Sequence, residues 1–211
     1  MIIKIYFIFI ISIIYVKNDN EIFDKYAKVW NSYSFVQENI KNFIKFINEK
    51  NYLNKNVTIM DFGCGTGILG INLINNVKKV IFLDLSKEMI KQVQIGLKKK
   101  DVLNYEIIEG EINEYKGDKI DLILVTNVLN YIDDINNVIN KFSNILKKGG
   151  KVLVVDLIET SEDISNTHNG FKPENVVKLF ENNGFNNVKY ENFYDLNIWK
   201  SYKQFIVIAE L

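Results

Sequence analysis

Apolar residues recur every three or four positions between residues 21 and 50, and from residue 57 onward they gather into short, nearly unbroken runs. Phe23, Tyr26, Ala27 and Trp30 mark one helical stripe, and Phe35, Ile40, Phe43, Ile44 and Ile47 a second. Ser34 followed by Gln37 reads as a capping box opening the second helix. The period then changes. VTIMDF (57–62) is a short buried strand, and GILGINLINN (67–76) after it is an apolar helix. KVIFLDL (79–85) is a second strand, with Ser86 placed to cap a helix that ends near Lys100. NYEIIEG (104–110), DKIDLILVTNV (118–128) and KVLVVDLIE (151–159) supply three more strands. Between the last two, DINNVINKFSNILKKGG (134–150) is an amphipathic helix closed by glycines. Pro173 opens and Gly184 follows a further helix, and NVKYENFY (187–194) and KQFIVIAEL (203–211) end the chain as two strands.

Strands alternating with helices, several wholly apolar, predict a parallel sheet covered on both faces. The expected fold is α/β, Rossmann-like and doubly wound, with an N-terminal helical cap. The last two strands have no helix between them, which predicts an antiparallel pair at the sheet edge. The domain spans 21–211, with residues 1–20 set apart as a hydrophobic leader.

That leader carries an uncharged apolar run from Ile5 to Val16 after Lys4. Its length suits a signal-peptide core and is short for a membrane span, which needs roughly 20 residues. A signal or anchor that associates with membrane, an extra apolar helix and a misplaced start codon are all open readings.

Composition narrows the chemistry. The 26 basic residues, all Lys, balance 26 acidic ones, which argues against a broadly basic nucleic-acid binder. Cys64 is the single cysteine, so no intramolecular disulfide forms. His168 is the single histidine, which rules out a histidine-cluster metal centre, and no metal is expected.

Three of the 11 glycines fall within five residues, in MDFGCGTG (60–67), between the first strand and its helix. In a doubly wound sheet, ligands bind beyond the C-terminal ends of the strands, and a glycine turn there lets backbone approach a ligand closely. Gly63, Gly65 and Gly67 read G-x-G-x-G, not the G-x-G-x-x-G dinucleotide fingerprint, and a glycine triplet also serves plain tight turns. The surroundings sharpen the reading. Asp84 ends the second strand, where a carboxylate can accept both ribose hydroxyls of a nucleoside. Glu111 follows the third strand, and Thr126 and Asn127 end the fourth.

This constellation resembles the class I S-adenosylmethionine-dependent methyltransferases, from about Phe23 to the C-terminus. The glycine motif, DLSKEM, EGEI, IDLILVTNVLNYI and LKKGGKVLVVD carry the resemblance. It implies a seven-stranded sheet in the order 3-2-1-4-5-7-6 with the last strand antiparallel, and S-adenosyl-L-methionine as cofactor, whose main pool is cytosolic and so favours a domain facing the cytosol. Carried over, Asp61, Gly63, Cys64, Gly65 and Gly67 would surround the methionine moiety and Asp84 would bind the ribose. Leu85 and Met89 would flank the adenine, with Glu111 and Ile112 at its edge, and Thr126 and Asn127 beside the glycine turn.

Within the family the chain looks most like the small-molecule branch related to ubiquinone-pathway methyltransferases. FDKYAKVW resembles the opening of such enzymes, and HNGFKPENVVKLFENNGF their H-x-G-F segment, on which His168 falls. His168 is thus a candidate base or substrate contact, or a helix cap. Many relatives carry two histidines after the fourth strand, where this chain has Asn130 and Tyr131; Tyr131 is a candidate pocket residue. Tyr26 and Trp30 could cover a sulfonium by cation–π attraction or simply pack. Glu159, Glu162 and Asp163 read as a solvated acidic loop. The expected function is direct in-line methyl transfer to a small-molecule acceptor. A protein or RNA methyltransferase and an inactive cofactor-binding module are the alternatives.

Overall fold

A computed structural model describes residues 20–159, 170–197 and 201–211. Residues 1–19 of the leader, His168, Glu162 and Asp163 lie outside them. Among the described residues no helix is long and apolar enough to cross a membrane.

The strands are β1 (Thr58–Phe62), β2 (Lys79–Asp84), β3 (Tyr105–Glu109), β4 (Ile120–Thr126), β5 (Leu146–Leu157), β6 (Asn186–Asn192), β7 (Leu196–Asn197), β8 (Ser201–Tyr202) and β9 (Gln204–Glu210). Seven form one sheet in the order β3-β2-β1-β4-β5-β9-β6. The first five are mutually parallel, and β9 runs antiparallel to both β5 and β6. This is the expected topology, with β9 as the seventh strand. β7 and β8 are an unexpected two-residue ladder that pairs Leu196 with Tyr202. Two residues per strand leave no period to read in a sequence.

The helices are α1 (Asn20–Tyr26), α2 (Ser34–Glu49), α3 (Ile68–Leu73), α4 (Lys87–Lys100), α5 (Ile135–Ile145) and α6 (Pro173–Asn182). They cover the sheet on two sides because alternate strand residues face opposite ways. Ile59, Phe82, Leu124 and Val155 pack with Phe43 and Ile47 of α2 and Val93 of α4. Met60, Ile81, Val125 and Val154 pack on the other face with Phe142 of α5 and Phe180 of α6. Phe43 and Ile47 have no exposed surface, and each such burial contributes roughly 1.5–3 kcal/mol.

Local expectations fared unevenly. Ser86 caps α4, its hydroxyl accepting the Met89 N–H at 3.1 Å. The Ser34–Gln37 capping box does not form. Tyr33 occupies the cap position of α2, and Gln37 Nε2 reaches back to the Asn31 carbonyl at 2.7 Å. The helix expected over 67–76 is six residues of α-helix followed by a 3-10 turn, Ile74–Asn76. Gly149 and Gly150 do not close α5, which ends at Ile145; they lie within β5, where Gly149 has φ +77°.

Candidate functional site

A cavity of about 520 Å³ opens beyond the C-terminal ends of β1, β2 and β4. Its floor is the turn 63–67. Gly63, Gly65 and Gly67 all have positive φ, at +63°, +53° and +72°, but their surroundings differ. A Cβ on Gly63 would sit 2.6 Å from a Val128 methyl, so bare backbone lets the loop after β4 close over the turn. A Cβ on Gly67 would sit 2.9 Å from Val93 and 3.2 Å from Phe82, so this glycine serves helix–strand packing, and it does not line the cavity. At Gly65 the nearest atom is the Met89 sulfur at 3.9 Å, and the space there belongs to the cavity.

Two carboxylates anchor the turn. Asp84 Oδ2 accepts the Gly65 N–H at 2.7 Å, and its Oδ1 accepts the Ser86 N–H at 2.9 Å. A carboxylate has about four acceptor sites, so Asp84, which lines the cavity, keeps acceptor capacity beyond its backbone donors. Burial raises the Asp84 carboxyl above the usual carboxylate range, and the Ser86 and Gly65 N–H groups oppose that rise. Asp61, 4% exposed, accepts the Gly70 N–H at 2.9 Å and so ties β1 to α3. Burial pushes its carboxyl up to about 7. Cys64 is buried, and burial first, then Asp84 and Asp61, hold its thiol well above the ordinary value; it is a small turn residue with no nucleophilic activation.

Of the residues expected at the site, Asp61, Gly63, Cys64, Gly65, Asp84, Leu85, Met89, Glu111, Ile112, Thr126, Asn127 and Tyr131 all line this cavity. Asn127 has φ +54°, donates its N–H to Val155 O at 2.8 Å and accepts from Gln204 Nε2 at 3.0 Å, which locks the turn after β4 against β9. Trp30 lines the cavity and Tyr26 does not. Phe23 meets Tyr131 edge-to-face at 5.1 Å and Trp30 at 5.9 Å, which joins the N-terminal cap to the loop after β4 as an aromatic wall. His168 lies outside the described residues. Glu159 pairs with Lys172 at 3.7 Å on the surface.

Other contributors carry no sequence signal. Asp24 of α1 accepts the Ser86 hydroxyl at 2.6 Å and the Glu88 N–H at 3.1 Å, fixing the cap onto the start of α4. Asn31 accepts the Thr66 hydroxyl, tying the cap to the glycine turn. Asn39 on α2, Leu196 on β7 and Tyr202 on β8 complete the wall. Each is an ordinary residue in its own segment, and only the fold brings them together. Among the described residues no group of three or more His, Cys, Asp or Glu side chains could hold a metal ion.

A strand-order reversal at β1 and β4, a glycine turn and a strand-end carboxylate facing one cavity define a class of nucleoside-binding α/β enzymes. Residues 53–205 match the methyltransferase domain family, and the chain belongs to that family. It is 30% identical over 140 residues to malonyl-[acyl-carrier protein] O-methyltransferase 2 of Ilyobacter polytropus, covering 65% of this chain and 52% of that protein. It is 29% identical over 127 residues to the ubiquinone biosynthesis O-methyltransferase of Pelagibacter ubique, covering 60% and 52%. The chain thus spans about half the length of these curated relatives. Its fold is similar to the N-methyltransferase NodS of Bradyrhizobium japonicum, solved in complex with S-adenosyl-L-homocysteine. The TM-score is 0.67 at 15% identity, over 84% of this chain and 87% of that one. The family is the one the sequence resembles.

Proposed function

We propose that the protein transfers the methyl group of S-adenosylmethionine directly to a small-molecule acceptor. The observation that carries this reading is the pairing of Asp84 with Gly65 at the floor of one largely apolar cavity. The cavity's residues fit the cofactor. Gly65 leaves open space for an amino-acid tail, Asp84 has lone pairs for two ribose hydroxyls, and Leu85, Met89 and Ile112 offer apolar surface to an adenine beside Glu111. Thr126 Oγ1, buried and without a partner, lies on the same wall.

When bound, S-adenosylmethionine supplies an electrophilic methyl on a positively charged sulfur. The chain's own residues have positioning work to do, which supplies about 7–11 kcal/mol of a barrier in well-oriented reactions. Asp61 and Asp84 hold the floor, and Phe23, Trp30 and Tyr131 exclude water and offer ring faces to positive charge. Tyr131 lines the acceptor side. His168 is kept as a candidate base on the resemblance of its H-x-G-F segment. The lining of the cavity by Phe23 of α1 and by Trp30 of the 3-10 turn Trp30–Ser32 supports a small acceptor over an extended polymer.

Calorimetric titration with S-adenosylmethionine and S-adenosylhomocysteine tests the reading, with methyl-labelled cofactor and fractionated cell extract as the second arm. Binding of both ligands and label in the small-molecule fraction are expected. No heat with either ligand, or label only in protein or RNA, would overturn it.

A further inference from the structure

β3 is one end of the seven-stranded sheet and β6 is the other. The β3 ladder with β2 runs without a slip from Tyr105 opposite Val80 to Glu109 opposite Asp84. Asn104 O accepts the Val80 N–H at 3.1 Å, and the Gly110 N–H donates to Asp84 O at 2.9 Å. Backbone direction alternates along a strand, so the even-numbered residues between them face β2. The N–H and C=O groups of Tyr105, Ile107 and Glu109 therefore point away from the sheet. Among the described residues no strand pairs with them.

The two edges are built differently. β6 carries Lys189, holds Asn187 at φ +50° and slips register between Asn186 and Lys189, all of which discourage a further strand. β3 has no Lys, no Pro and no bulge. Its Ile107 and Ile108 are only partly buried, one on each face of the sheet. Tyr105 is 36% exposed, and Leu103 just before it is 92% exposed. A regular, apolar edge of this kind is a template for strand addition.

Charge indicates which strand. Lys98, Lys99 and Lys100 end α4 beside the start of β3, with Asp101 after them, and all four are exposed. Asn104 Nδ2 donates to the Ile74 and Val77 carbonyls at 3.0 and 3.3 Å, which brings exposed Lys78 to the same corner. Lys79 is already paired with Glu106 at 2.6 Å. Beyond the other end of β3 stand exposed Glu109, Glu111 and Glu114. Lys87 lies at that end too, and Lys91 there pairs with Glu88. The edge thus runs from basic to acidic, and an antiparallel copy of itself sets each end against its opposite.

We infer that a second copy of this chain pairs its β3 antiparallel with this one, across a two-fold axis at Ile107. Ile107 then stands opposite Ile107 of the second copy, and Tyr105 opposite Glu109 of the second copy, where a phenol donates to a carboxylate. Three residues on each side give and take backbone bonds, roughly six in all against about 10 in a typical interface. The same patch serves both copies, so the contact closes on itself, and the guarded β6 edge prevents further growth. The inference goes beyond the methyl-transfer reading and does not depend on it.

The test is sedimentation equilibrium of the full chain from about 1 to 100 μM. A mass twice the 24.6 kDa of the chain is expected at the upper concentrations. Tyr105→Glu sets like charges opposite each other, and the two-fold axis counts the change twice, so dimer affinity should fall about tenfold. Adding Glu109→Lys to that variant makes the facing pair opposite in charge and should restore the affinity. Circular dichroism checks that the variants fold. A monomer throughout, association unchanged by Tyr105→Glu, growth past the dimer, or no rescue in the double variant overturns the inference. Unchanged association would assign the contact to another surface, the apolar leader included. Should Tyr105→Glu not fold, Glu109→Lys alone decides: it sets a cation at the acidic end and should weaken the dimer about tenfold, and no weakening overturns the inference.

Discussion

Asp84 Oδ2 accepts the backbone N–H of Gly65 at 2.7 Å, so the carboxylate ending β2 and the turn following β1 form one unit. Asp84→Ala removes that bond, the one to Ser86 and the group proposed to hold the ribose. S-adenosylhomocysteine affinity is expected to fall about a hundredfold or more by calorimetry, since hydrogen bonds to charged groups are worth about 1.5–3 kcal/mol each. Asp84→Asn, which retains one acceptor oxygen, should fall between. Equal affinity for wild type and Asp84→Ala would remove this residue from the site.

The glycines of the turn are expected to separate by function. Gly67→Ala places a methyl 2.9 Å from Val93 in a positive-φ position, and Gly63→Ala places one 2.6 Å from Val128. Both should lose about 2 kcal/mol or more in urea unfolding, and Val128→Ala should recover part of the Gly63→Ala loss. Gly65→Ala meets nothing closer than 3.9 Å. It should cost roughly 1 kcal/mol of stability yet weaken S-adenosylhomocysteine binding most of the three. The same ranking in both measurements would contradict this division.

Burial of Asp61 gives stability a definite pH dependence. Its carboxyl rises from an ordinary 3.8 to about 7, so the folded state holds a proton more tightly than the unfolded one. The stability linked to that proton is fully present below about pH 3.8 and is lost as pH rises through about 7. Asp61→Asn keeps an acceptor for the Gly70 N–H and has no proton to lose. Between about pH 4 and pH 8 the variant should gain on wild type by up to a few kcal/mol in urea unfolding. A pH-independent difference would show that the carboxyl titrates normally.

Asp24 links the N-terminal cap to the rest of the site through Ser86 and Glu88. Asp24→Ala should leave the sheet intact by circular dichroism, speed proteolysis near α1 and lower S-adenosylhomocysteine affinity. Ser86→Ala should additionally lose about 1 kcal/mol, because its hydroxyl also caps α4. Unchanged proteolysis in Asp24→Ala would mean that the cap is held by the aromatic contacts of Phe23 instead.

The five parallel strands were legible because buried runs such as VTIMDF and KVIFLDL carry a local signal, and glycine turns punctuate them. Asp84 and Glu111 were legible because strand ends are where a doubly wound sheet gathers ligand-facing groups. The Ser34–Gln37 cap misled because Tyr33 offers its own backbone to the helix start and Gln37 finds Asn31. Gly67 looked equivalent to Gly65 because spacing alone does not reveal what stands opposite each Cα.

The chain's order of apolar runs, turns and strand-end carboxylates determined by itself the layer architecture, the antiparallel closing pair and the sheet edge on which the site sits, while the full strand order followed from the resemblance to the methyltransferases. Those features depend on contacts along a few consecutive residues and on rules common to twisted sheets. The tertiary structure alone decided that Asn39 of α2 and Thr126 of β4 line one cavity and that Asp24 fastens the cap. These residues meet across the fold, where side-chain direction and burial are set by packing and not by neighbours in the chain.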